Sequence, residues 1–146
     1  MTQEERELLL KDLCTRLPYG VICNDNRHGS SRVTYIDITP DDIEQKNGKV
    51  VVYYFDFDEC GELKNCKPYL RPLSSMTEEE KRELMQISEK YLDDWSTTDS
   101  NLLKWELDAK VSNKRAVFYN SHHLDWNGLI PMGLALESPE GMYNIK

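Results

Sequence analysis

Apolar residues recur along the chain with two different periods. Leu9, Leu10, Leu13, Cys14 and Leu17 are spaced for one face of a helix. Thr2-Gln-Glu-Glu5 ahead of them has capping-box spacing, in which the Thr hydroxyl takes the amide three residues on and the Glu reaches back to the cap amide. Pro18 bars continuation, and Tyr19-Gly20 makes the exit turn. Val21-Ile22-Cys23 then reads as a short strand, Asn24 to Ser31 as a polar turn, and Val33 to Ile38 as a second strand. Pro40 to Gly48 reads as a connection with one helical turn begun by Pro40, closing at Asn47-Gly48, a pair suited to positive φ.

Val50 to Asp58 alternates strictly. Val51, Tyr53, Phe55 and Phe57 share one face, and Val50, Val52, Tyr54, Asp56 and Asp58 share the other. The second face passes from apolar to acidic, which predicts a central strand whose far end emerges toward water. Glu59-Cys60-Gly61 should return it as a short strand near Leu63 to Cys66, giving a meander of three to four strands. Lys67 to Ser75 contains Pro68 and Pro72 and is expected to be an extended connector.

Thr77-Glu-Glu-Glu80 repeats the capping box and opens a second helix with Leu84, Ile87, Tyr91 and Trp95 in one stripe and Met85 and Leu92 beside it. Its likeness to the N-terminus ends after about ten residues, so it is one capping solution reached twice rather than an internal repeat. Asp93 to Ser100 reads as a polar break. Leu102 to Val111 fits a helix or a strand. Ser112 or Asn113 could cap a further helix placing Phe118, His122 and Asp125 on one face, ended by Gly128. Leu129, Ile130, Leu134 and Leu136 predict a tail packed on the core, with a short strand at Leu134 to Glu137. The sum is one α+β domain over residues 1–146: an antiparallel sheet of three to five strands, with two to four helices packed on one face.

Composition adds a class. The 146 residues carry a net charge of −8, which argues against binding nucleic acid or an anionic membrane. The N-terminus is acidic, and no apolar run is long enough to span a bilayer, so a cytoplasmic chain is expected. In that compartment Cys14, Cys23, Cys60 and Cys66 are expected as free thiols, with Cys60 and Cys66 the pair that a tight hairpin could bring together.

The candidate chemistry is His122, His123 and Asp125, since imidazole beside carboxylate is the raw material of general-base catalysis. No nucleophile elbow, phosphate loop or paired acid accompanies them. Zinc needs three or four ligands and this run offers two on one helical face, so neither metal nor cofactor is expected. Asp56-Phe-Asp58-Glu-Cys60-Gly61 fits the first half of a calcium loop, but Lys67 stands where the bidentate acid belongs; a hairpin turn is expected.

Three stretches also resemble a group of small proteins of gut anaerobic bacteria, their phages and mobile elements. They are Tyr19-Gly20-Val21, Lys67 to Glu80, and the run from His122-His123-Leu-Asp125 through Gly128-Leu-Ile to Gly133-Leu-Ala-Leu-Glu-Ser-Pro-Glu-Gly-Met-Tyr143. That group carries no activity to transfer. The resemblance implies a setting: an accessory protein of a phage or mobile element. With the acidic surface, it points to a small protein acting by protein–protein interaction on a host or phage protein, more as a modulator or inhibitor than as an enzyme. The alternatives are a small hydrolase-like enzyme using His122, His123 and Asp125, and a structural component of a particle.

Overall fold

The computed structural model describes residues 1–39, 49–57 and 60–143. Helix α1 (Gln3–Arg16) starts with both halves of the capping box in place: Thr2 Oγ1 accepts from the Glu5 amide at 3.1 Å and Glu5 accepts from the Thr2 amide at 2.9 Å. A 3₁₀ turn over Leu17–Tyr19 follows, and Gly20 leaves it at φ 73°, a left-handed value that favours glycine. Leu9 and Leu13 are fully buried, each contributing about 1.5–3 kcal/mol by leaving water.

Among the described residues the sheet has six strands, more than the pattern predicts, and it is mixed. Strands β1 (Ile22–Asp25), β2 (Gly29–Thr39), β3 (Lys49–Tyr54) and β4 (Gly61–Glu62) form an antiparallel meander, but the return strand is only Gly61–Glu62, and Leu63–Asn65, expected within it, is a 3₁₀ turn that leads into the next strand. Strand β5 (Cys66–Leu70) returns to the other side of β1, and β6 (Leu136–Glu137) adds in parallel beside Tyr69 and Leu70. The order is β4-β3-β2-β1-β5-β6, so β3 is next to an edge and the centre belongs to β2 and β1. The expected turn at 24–31 shrinks because β1 runs on to Asp25 and β2 begins at Gly29. A bulge between Val33 and Tyr35 turns β2 over, so Val33 is buried, Tyr35 faces out, and Tyr35 stacks on Tyr53 at 4.1 Å. The predicted turn at Pro40 and the turn at Asn47-Gly48 lie outside the described residues.

In β3 it is Val50, Val52 and Tyr54 that face the core; the strand ends there and Phe55 is exposed. The connector expected at Lys67–Ser75 is half strand. Pro68 sits in β5 opposite Cys23, and β6 joins only beyond it. The core gathers Leu9, Leu13, Val21, Val52, Leu70 and Leu129 from helix, sheet and tail.

Helices α2 (Glu78–Thr97) and α3 (Asn101–Ser121) form a long antiparallel hairpin, and the polar break reduces to residues 98–100. α3 settles the ambiguity over Leu102–Val111 as helix, needs no cap at Ser112, and stops well before Gly128. The hairpin does not lie on the sheet as expected. α2 buries only Glu80, α3 buries only Val111, Phe118 and Asn120, and each helix packs chiefly on the other. Among the described residues no helix is long and apolar enough to cross a membrane.

Candidate functional site

His122, His123 and Asp125 do not share a helical face. α3 ends at Ser121, His122 follows it, and His123 takes φ 58°, a left-handed turn that swings the chain out of the helix before Asp125. The three side chains go separate ways. Asp125 accepts from the amides of Leu129 (2.8 Å) and Ile130 (2.9 Å), fixing the turn that feeds the tail into the core. His123 is 1% exposed and stacks on Tyr143 at 3.6 Å between ring centres. Among the described residues its buried Nδ1 has no hydrogen-bond partner. Burial, with Arg16, Arg71 and His122 nearby, lowers its pKa to about 4, so the ring is neutral at pH 7. His122 lies against carboxylates: Nδ1 is 3.0 Å from Glu80 and Nε2 3.6 Å from Glu83.

These residues sit in polar anchors that the sequence pattern does not reveal. In the first, Arg16 and Asp12 form an ion pair with both side chains fully buried; Arg16 also donates to the Leu124 carbonyl at 2.7 Å and Asn127 donates to Asp12 at 2.8 Å. In the second, Arg71 donates from both terminal nitrogens to Glu80 at 2.8 Å and from one of them to the His122 carbonyl at 3.2 Å. The guanidinium beside it, with the Thr77 amide, holds the Glu80 carboxyl down to about 2. In the third, the Tyr143 hydroxyl accepts from the Ile22 amide at 2.8 Å and donates to the Tyr69 carbonyl at 2.7 Å, across β1 and β5. Each ties residues more than 60 apart in the chain, or a helix start to a helix end, which no local pattern reports.

A cleft of about 1040 Å³ opens beside His122 and His123, walled by Arg71, Glu80, Glu137 and Tyr143. The walls are already engaged: Arg71 and Glu80 in their mutual pair, Tyr143 in its bonds to the sheet. The four cysteines are free thiols, as expected, but their placement differs: Cys14 is exposed rather than part of the buried stripe of α1, Cys60 is exposed, and Cys66 is buried with its thiol against that of Cys23 instead of facing Cys60. Burial pushes the Cys23 thiol well up, which keeps it protonated and inert. Asp56 accepts from the Ser31 hydroxyl at 3.0 Å, and Asp58 lies outside the described residues.

A second concavity is a groove of about 560 Å³ between α2 and α3. Its floor is Ile87, Tyr91, Leu107 and Val111; Lys90, Lys110 and Lys114 stand on its rim with Glu83 and Asp94. Among the described residues none of these lysines forms an ion pair. The hairpin beneath is cross-braced. The Tyr91 hydroxyl donates to Asp108, Arg115 donates to Ser88 at 2.9 Å, and Lys104 lies over the Trp95 ring at 4.9 Å. The stripe Leu84, Ile87, Tyr91 and Trp95 is legible in the sequence, but the groove is not, because it needs the second helix.

Comparison with protein-family models, with curated proteins and with solved structures finds no match.

Proposed function

We propose that this chain is a small acidic accessory protein that acts by holding another protein, and that the α2–α3 groove is the receiving surface. The observation that carries this is the pairing of an apolar floor with three unpaired lysines on the rim, in a chain whose net charge is −8. A groove of two packed helices with an apolar floor suits a third helix laid along it by its apolar face. The lysine rim selects one whose flanks are acidic. The occupant proposed is therefore an acidic amphipathic helix of a host or phage protein.

The test is a titration of the full chain with matched synthetic amphipathic helices, identical in their apolar face and acidic, neutral or basic on their flanks. Methyl signals of Ile87, Leu107 and Val111 report the binding. The acidic helix is expected to bind at least about tenfold more tightly than the basic one, a difference of roughly 1.4 kcal/mol, and to weaken with salt. Replacing Lys90, Lys110 and Lys114 together by Glu should reverse the order, while Lys11→Glu on α1 should leave it unchanged. Equal binding of all three helices, or shifts confined to other residues, sinks the reading.

A further inference from the structure

We infer that two copies of this chain pair through the face of the hairpin opposite the groove. Along α3, Leu102, Trp105, Ala109, Ser112 and Ala116 follow one another at spacings of three and four residues, the repeat of a helix–helix seam. That stripe is turned about half a revolution from Lys110 and Lys114 on the groove side. Among the described residues nothing covers its outer part. Trp105 is 68% exposed and Leu102 63%, and on α2 Leu92 is 61% and Met85 59% exposed, Leu92 toward the tip and Met85 toward the base of the hairpin.

The seam is graded along its length. Its large side chains, Leu102 and Trp105, stand near the tip of the hairpin; Ala109, Ser112 and Ala116 follow toward the base. Two hairpins laid face to face with their tips opposed place the large residues of one over the small residues of the other. Leu102 then meets Ala116, Trp105 meets Ser112, and Ala109 meets its own copy on the two-fold axis. A surface that is its own complement under a two-fold rotation specifies a second copy of the same chain. The four large flanking side chains present on the order of 500 Å² of surface. A stable pair needs about 800 Å² from each partner, and the backbone and small residues between them supply the rest. Helices approach closely where the facing side chains are as small as Ala and Ser, so the remaining contact is dense. The product is a four-helix bundle with the two grooves on its outer sides, so self-pairing and the helix binding proposed above are separate properties.

The experiment is sedimentation equilibrium of the full chain across about 1–100 µM, paired with crosslinking. The wild type is expected at twice the 17.1 kDa chain mass. Leu102→Glu with Trp105→Glu should weaken pairing by about 30-fold or more while the helical circular-dichroism signal stays unchanged, since both residues are exposed. Lys90→Glu with Lys110→Glu should leave the mass at the dimer. Ala109→Cys, in a chain carrying Cys14→Ser and Cys60→Ser, should form an interchain disulfide on mild oxidation, which tests the seam without disturbing it. A monomer throughout the concentration range overturns the inference. So does a dimer that survives the double glutamate variant, or one that Ala109→Cys fails to crosslink.

Discussion

Arg16 donates from Nε to Asp12 at 2.7 Å, one helical turn away, and neither side chain reaches solvent. The pair does more than close α1. Arg16 holds the Leu124 carbonyl and Asp12 holds Asn127, so one ion pair pins the first helix to the loop that follows the last. Removing one member leaves the other charged and buried, which costs about 3–5 kcal/mol. Asp12→Ala should therefore lower the unfolding free energy by that amount in urea titrations. Asp12→Leu with Arg16→Met should cost less than Asp12→Ala alone, because no charge is left behind. If the double variant is the less stable, the burial argument fails.

The two capping boxes look alike in the sequence and should differ in worth. Glu5 does little beyond bonding the Thr2 amide at the exposed start of α1. Glu80 bonds the Thr77 amide and is also gripped by Arg71 and approached by His122. Glu5→Gln is expected to shift stability by less than about 0.5 kcal/mol, and Glu80→Gln by roughly 2–3 kcal/mol, since a charge-assisted bidentate bond is lost. Thermal unfolding of the two variants side by side measures the difference.

Stability should fall in two separate windows on acidification. The His123 imidazole has its pKa lowered to about 4 in the fold, against about 6.5 in an unfolded chain. Between those values the unfolded state binds the proton first, so stability drops as pH falls from about 6.5 to about 4. Glu80 is held down to about 2, against an unfolded value near 4.5, so its contribution is intact above that value and drains away as pH falls toward 2. Replacing His123 by Gln should flatten the upper window and leave the lower one in place. Unfolding free energies measured at half-unit pH steps would show whether the slopes separate in this way.

Gly61 is required by a neighbour rather than by its backbone. A Cβ there would lie 2.1 Å from Asp25 Oδ2, and that carboxylate is buried, accepting from the Tyr54 hydroxyl at 3.2 Å and the Arg27 amide at 2.8 Å. Gly61→Ala should therefore destabilise by about 1–3 kcal/mol through overpacking. In an Asp25→Ser background, where the carboxylate no longer fills the space, the same substitution should cost distinctly less. A double-mutant cycle with no coupling between the two positions would contradict the contact.

Local chemistry was legible where it is decided locally. The starts of α1 and α2 were set by Thr-x-x-Glu spacing, because a cap is satisfied within one turn, and the strands of the meander followed from alternation over a few residues. The α+β class and the short strand of the tail were readable for the same reason. The partners of each element were not, because they depend on residues far away in the chain. Pro68 reads as a break and yet lies in β5, because β1 on one side suffices to hold that stretch in the sheet. The parallel pairing of β6 with β5 needs a closure of more than sixty residues that no window of sequence reports. The run His122-His123-Leu-Asp125 reads as a cluster of chemistry. The left-handed turn at His123 disperses it, and each side chain is engaged by a different part of the fold: Glu80 and Glu83, Tyr143, and the amides of Leu129 and Ile130. The apolar spacing of α2 and α3 was written in the chain, but whether those faces meet the sheet, each other or nothing was decided only when α3 paired with α2 and left Leu102 and Trp105 in water. Periodicity states which residues can share a face; burial is a property of what lies opposite, and that belongs to the tertiary structure.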